Sequence, residues 1–202
     1  MLDEISVILE DLKNPNSEIR ELALDKIGIL KLSNSLEIIL PFLSDSEPGV
    51  RSTAACNLGE IQDIRAIPHL INIVKNDNDE EVRADALSAL GEYQSSEILN
   101  CLINEVNREK RSRRPRQEVA RQLKHYNTEE AVDALIELLQ DEDDYVKIPA
   151  VDSLLELNRL RLRQVWIDAL DSENYYVSEI ATKALANLDL LIPVKSTPSG
   201  LH

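Results

Sequence analysis

VRADALSALG, residues 82–91, decides how this chain folds: Val82, Ala86 and Leu90 are spaced four apart, Arg83 follows the first, and Gly91 closes the stretch. Five further copies follow the same plan. They are Ile19-Arg20…Ala23…Ile27-Gly28, Val50-Arg51…Ala54…Leu58-Gly59, Pro115-Arg116…Val119…Leu123, Val146-Lys147…Ala150…Leu154 and Val177-Ser178…Ala181…Leu185. Successive first residues lie 31, 32, 33, 31 and 31 positions apart. A period near thirty means a stacked array of supersecondary units, each burying its apolar side on its neighbours.

Apolar residues at the first position, four on, eight on and eleven on mark one stripe of an amphipathic helix. The residues eleven on are Leu30, Ile61, Tyr93, Tyr126, Leu157 and Leu188, so the two tyrosines read as core-edge residues. Ahead of each copy runs a second amphipathic segment, for example LEIILPFL at 36–43, AIPHLINIV at 66–74 and AVDALIELL at 131–139. Turns rich in Asn, Asp, Ser and Pro separate the two, ending one helix and capping the next. The chain therefore reads as an all-α, right-handed α-solenoid of about six helical hairpins. It forms a single repeat domain over residues 1–190, with a flexible tail over 191–202. Gly28, Gly59 and Gly91 fall where the second helix of a hairpin is expected to end.

The composition agrees: 43% of residues are hydrophobic but only 3% aromatic, which suits a Leu/Ile/Val/Ala core between helices. Cys56 and Cys101 lack metal-ligand spacing and read as buried apolar filler in a reduced compartment. No apolar run approaches the ~20 residues that cross a bilayer, so no membrane insertion is expected. The N-terminal MLDEISVILEDL is acidic and amphipathic, unlike a basic signal sequence, and a cytoplasmic location follows as an expectation. Asp45, Asp77 and Asp141 lie five residues before an aliphatic first position and are expected to pair with the Arg series, within or between repeats.

The VR-x-x-A-x-x-x-LG core, the Ala66-Ile-Pro-His-Leu70 start and the short period resemble the HEAT-repeat superfamily, in particular its phycobilisome-lyase-like branch. The resemblance spans residues 1–190 and implies a helical-repeat scaffold. Members include phycobilin lyase subunits, phycobilisome-degradation proteins, immunity proteins and general scaffolds. Pro115 in place of Val and a longer fourth turn depart from the pattern.

Function is expected where the pattern varies. The whole chain carries −15, yet residues 108–124 hold eight bases against two acids. Arg108, Lys110, Arg111, Arg113, Arg114 and Arg116 form a candidate partner-binding basic loop, the other reading being a solvated turn. Between the core positions of the second helices, Asn57, Glu60, Asp85, Ser88, Glu92, Arg121, His125, Asp152 and Glu156 are expected to line a concave face. A protein partner fits both features. Nucleic acid fits poorly, since the basic run is short, the rest of the chain is acidic and no aromatic platform is present. No nucleophile motif, phosphate loop or metal signature occurs, so no catalytic residue, metal or cofactor is assigned. The leading expectation is a non-catalytic interaction module, with homo-oligomerisation left open. One alternative is a phycobilin lyase subunit or phycobiliprotein-associated chaperone, where Arg121, His125 and Tyr126 would face a bilin. The other is an immunity-type inhibitor of a basic toxin.

Overall fold

The computed structural model describes residues 2–108, 112–157 and 162–191, with side chains over 4–108, 112–157 and 162–188. Its helices pair as expected: α1 (Leu2–Asp11) with α2 (Ser17–Leu30), α3 (Ser35–Ile39) with α4 (Pro48–Ile61), and α5 (Ile67–Asn76) with α6 (Glu80–Gly91). The remaining hairpins are α7 (Ser96–Val106) with α8 (Arg113–Leu123), α9 (Glu129–Leu139) with α10 (Asp144–Leu157), and α11 (Arg163–Ala169) with α12 (Tyr175–Leu191). Short 3-10 turns extend α3 over Leu40–Ser44 and precede α5 over Ile64–Ala66.

Local sequence explains where helices start. Asn16, Asp79, Ser95 and Thr128 each accept a hydrogen bond from an otherwise unpaired amide of the first turn. Prolines open α4 and α5, where a missing amide hydrogen costs nothing. Pro115 sits in the first turn of α8, so the departure from Val leaves the helix intact.

The second helices stack in the order α2, α4, α6, α8, α10, α12, while α5, α7 and α9 stack in a parallel layer, giving an α-solenoid. The core lies between the layers. Ala23, Ile27, Ala54, Leu58, Ala86, Leu90, Val119, Leu123, Ala150 and Leu154, four and eight on in the first five copies, are all fully buried. Tyr93 is buried and its hydroxyl donates to the Leu58 carbonyl of the preceding repeat at 2.7 Å, as its core-edge reading requires. Leu30 differs: it is 42% exposed.

Of the recurring glycines, Gly91 is the last residue of α6, whereas Gly28 and Gly59 do not end their helices. The left-handed residues at the ends of α2 and α4 are Lys31 (φ 43°) and Gln62 (φ 53°), three positions further on. Gly59 instead lets two helices approach: a Cβ there would sit 2.8 Å from the Ala89 Cα of α6.

Arginines and aspartates form a ladder between repeats. Arg20 donates to both carboxylate oxygens of Asp45, at 2.9 and 2.7 Å, and Arg51 to both of Asp77, at 2.7 and 2.9 Å. Arg116 pairs with Asp141 at 2.9 Å. Each rung reaches back as well, since Arg20 and Arg51 also donate to the Asn14 and Asp45 carbonyls of their own turns. The same Asp45, Asp77 and Asp141 accept the amides of Glu47, Asp79 and Asp143. One bidentate pair thus ties two turns and orders the next helix start.

Burial opposes ionisation of Asp45 and Asp77, but the arginine hydrogen bonds and then the turn amides outweigh it, holding both carboxyls below their usual range. A depressed folded value means that this stabilisation is fully present above the unfolded carboxylate value of ~3.9 and is lost as pH falls through the folded values. Unfolding free energy measured against pH should therefore drop below about pH 4. An Asp45→Asn, Asp77→Asn variant should start lower and show a shallower drop; an unchanged acid slope would refute the assignment.

Candidate functional site

Numbering from the first aliphatic residue of each copy, the residues six and ten on form two parallel rows across the open face of the second helices. Asp25, Cys56, Ser88 and Arg121 are exposed in the first row, with Asp152 half-buried. Glu60, Glu92, His125 and Glu156 are exposed in the second. Asp85, three on, is half-buried beside them and accepts a hydrogen bond from the Ser52 hydroxyl of α4. Eight of the nine expected face residues are therefore at least partly accessible, and seven of them stand on these two rows.

Asn57 is the exception. It is 4% exposed, donates to Asp25 at 3.1 Å and to the Thr53 carbonyl at 2.9 Å, and abuts Gly28. Seven on is the position turned toward the preceding second helix, so Asn57 is an interhelical packing residue and not part of the face.

Between α4 and α6 the rows enclose a shallow groove of about 510 Å³, walled by Glu60, Glu92, Gln62 and Ser88 and floored by Gly59 and Ala89. Lys31 closes one end, donating to the Glu60 carbonyl at 2.8 Å, and Gln62 donates to Glu92 at 3.2 Å. Cys56 also opens onto this groove and is exposed, unlike the buried filler expected; Cys101 is buried. Desolvation of the sulfur first, then the charges of Asp85, Glu60 and Asp25, push the Cys56 thiol up to about 11, so it stays a neutral thiol at pH 7.

The basic segment is largely tied into the fold. Arg116 is only 4% exposed and belongs to the ladder through Asp141, so it is a structural residue and not a docking contact. Arg114 donates to Glu81 at 2.8 Å, and Arg113 stacks over the Tyr145 ring with its centre 5.0 Å from the centroid. Arg108 donates to the Val74 carbonyl and to Glu105, the latter at 3.3 Å. Lys110 and Arg111 lie outside the described residues.

Glu105 escaped sequence reasoning. It is 4% exposed on α7, 3.7 Å from the buried Arg83, whose guanidinium also donates to Ser112 at 2.7 Å. Lys110 occupies the place of the expected aspartate, and Glu105 supplies the missing negative charge from the other helix layer. A carboxylate in the apolar register of Ile98, Cys101 and Leu102 was the available signal. Near this junction a hollow of about 630 Å³ is lined by Arg113, Arg116, Tyr145 and the acids Glu137, Asp141, Glu142, Asp143 and Asp144, of which Asp141 pairs with Arg116.

Arg121 and His125 are exposed, while the Tyr126 hydroxyl is buried. Among the described residues no group of three His, Cys, Asp or Glu side chains is placed to hold a metal, and no helix is long and apolar enough to cross a membrane.

A family model described as HEAT repeats matches residues 5–91, 67–155 and 99–186. Among solved structures, the complex of CpcE and CpcF of phycocyanin lyase from Nostoc sp. PCC7120 is similar, with TM-score 0.66, 18% identity, and coverage of 91% of this chain and 76% of that one. Escherichia coli YibA gives TM-score 0.69 at 21% identity, covering 95% and 73%. An archaeal HEAT-like repeats protein from Thermococcus onnurineus NA1 gives 0.51 at 15% identity, covering 93% and 98%. No curated protein matches the chain. At these identities the structural likeness establishes the fold alone.

Proposed function

Because the chain belongs to the HEAT-repeat family, we propose that it is a non-catalytic protein-binding module whose open second-helix face takes a basic protein surface. The observation that carries this reading is the contrast between two charged regions. Glu60 and Glu92 stand exposed in adjacent repeats beside Asp85, whereas four of the bases around the fourth turn, Arg108, Arg113, Arg114 and Arg116, already have partners within the chain. A pre-formed acidic face steers a basic partner by long-range attraction and fixes its register by short-range pairing. Arg111, Arg113 and Arg114 remain a second, weaker contact in this proposal.

Affinity capture from native lysate tests the assignment. Glu60→Lys with Glu92→Lys should release the main partner at physiological salt, with capture reduced at least about tenfold. Arg111→Glu with Arg113→Glu and Arg114→Glu should keep most of it. Both glutamates are exposed, so circular dichroism should be unchanged. Retention of every partner by the first variant would sink the acidic-face reading.

A second reading is favoured by the fold likeness to the phycocyanin lyase complex: this chain would act as a lyase subunit or a phycobiliprotein-associated chaperone. Arg121 and His125, exposed on and just after α8, would then pair with bilin propionates. Titrating a free bilin into the protein should red-shift or sharpen its absorbance under this reading, and an unchanged spectrum would discard it.

A further inference from the structure

Three of the five tyrosines, Tyr145, Tyr175 and Tyr176, stand at the starts of α10 and α12, 63%, 78% and 38% exposed. They fall one or two residues before the first aliphatic position, a place that is on the surface in interior repeats too. Pro48, Gly49, Glu80 and Glu81 are exposed there, and Tyr145 is exposed although the sixth repeat follows it. Stacking therefore neither requires a ring at this place nor covers one. Arg113 shows what such a ring accepts. It lies two before the first position in the fourth repeat, over Tyr145, one before it in the fifth, 5.0 Å from the ring centroid. One repeat on, Asp144 and Tyr176 hold these two positions, and among the described residues no cation lies over the Tyr176 ring. Tyr176 is fixed at both ends: its hydroxyl donates to Asp152 of α10 at 2.8 Å and its amide to Asn174 at 3.0 Å. Hydrogen bonds from Lys147 and then Asn174 hold the Asp144 carboxyl below its usual range. Lys147 and Lys183, the bases of α10 and α12, pair with Asp144 and Glu179 of their own helices at 3.1 and 2.8 Å. Among the described residues no base pairs with Asp152, so the carboxylate that anchors the ring keeps its charge uncompensated.

Resting on the reading that the open face takes a basic protein, we propose that Tyr176, with Asp144 and Asp152, binds an exposed arginine of that partner. The guanidinium stacks on the Tyr176 ring as Arg113 does on Tyr145, and its N–H edge faces the two carboxylates. Arginine suits this site better than lysine, because a planar and weakly hydrated cation stacks on a ring while its edge still donates. The hydroxyl's bond to Asp152 polarises the phenol and makes the ring a better cation acceptor. Asp152 stands in the same exposed row as Asp25 and Ser88, so the site continues the open face. From α6 to α12 there are three steps between neighbouring second helices, about 25–30 Å at 8–10 Å each. The partner therefore meets two separate contacts, the acidic groove and the tyrosine, on either side of Arg121 and His125. A short peptide reaches only one at a time.

Two blocked pentapeptides serve as probes, one alternating glycine with two arginines and the other identical but for lysines. Titrating each into the nitrogen-15-labelled full chain and following backbone amide shifts reads the two contacts separately. The amides of Asp152, Tyr176 and Val177 should report a dissociation constant at least about threefold lower for the arginine peptide, the gain of one exposed cation–π contact. Tyr176→Leu should abolish that preference at Asp152 and Val177 and leave the responses of Glu60 and Glu92 unchanged. Tyr176→Phe keeps the ring and should keep the preference. Equal constants for the two peptides, no response at these amides, or a preference that survives Tyr176→Leu overturns the arginine site and leaves the acidic-face reading standing. A response at Tyr176 with none at Glu60 and Glu92 overturns the acidic-face reading instead. Sedimentation of the same samples completes the test. If the wild-type chain is a dimer that Tyr176→Leu dissociates, the ring takes a second copy of this chain, and the proposal falls.

Discussion

Asp77→Ala is expected to destabilise the chain by about 3 kcal/mol, because it leaves a nearly buried guanidinium without its carboxylate. The Arg51 and Asp77 side chains are 15% and 6% exposed, and both oxygens of Asp77 accept from Arg51. Asp77 also holds the Asp79 amide, so the substitution loosens the start of α6 as well as the contact between repeats. Arg51→Ala should cost a similar amount, and the double variant much less than the sum, since the orphaned charge disappears with its partner. An exposed pair provides the contrast. Arg65 and Glu37, 59% and 53% exposed at 2.8 Å, form a solvent-screened pair, so Glu37→Ala should cost far less than Asp77→Ala. Urea unfolding gives the numbers, and amide exchange across α4 and α6 shows whether the loss stays local, as nearest-neighbour stacking requires. Comparable costs for Asp77→Ala and Glu37→Ala would show that the ladder is ornamental.

Gly59→Leu should be at least as damaging, at roughly 3 kcal/mol or more, because its first carbon already collides with backbone. The Cβ position lies 2.8 Å from the Ala89 Cα and 2.9 Å from its Cβ, so α4 and α6 must separate to admit it. Even Gly59→Ala should cost about 1–2 kcal/mol, despite the ~1 kcal/mol that alanine contributes through helix propensity. Gly91→Ala is the discriminating control. There the new methyl meets the amide end of Gln122 at 2.0 Å, a flexible group that swings aside, so the variant should be close to neutral. If the two alanine variants melt alike, the close approach of α4 and α6 does not explain the glycine.

Much of the fold was legible because stacking imposes the same chemical demand in every repeat. Small or aliphatic residues four and eight on must fill one interlayer space, and they are the fully buried Ala54, Leu58, Ala86 and Leu90. The pairing of Arg51 with Asp77 could be anticipated for the same reason: a repeated acid and a repeated base, at a fixed interval, need one geometry. The basic segment was harder to interpret. Eight bases in seventeen residues describe charge but not direction, and only packing turns Arg116 inward to Asp141 while leaving Arg113 outside over Tyr145. Glu105 was hidden because its partner Arg83 lies in a different helix layer, a separation no helical period encodes.

By itself the sequence determined the unit, the number of copies and the side of each helix that faces the core, since these follow from local periodicity. Tertiary structure decided what the remaining sides do. One residue around a helix is a rotation of about 100°, so Cys56, six on, opens onto the groove while Asn57, seven on, is sealed against Gly28. Which of the two is available depends on where the neighbouring helix lies, and that position is set by the contact of Gly59 with Ala89 and the reach of Arg51 to Asp77. The acidic groove is a consequence of that placement.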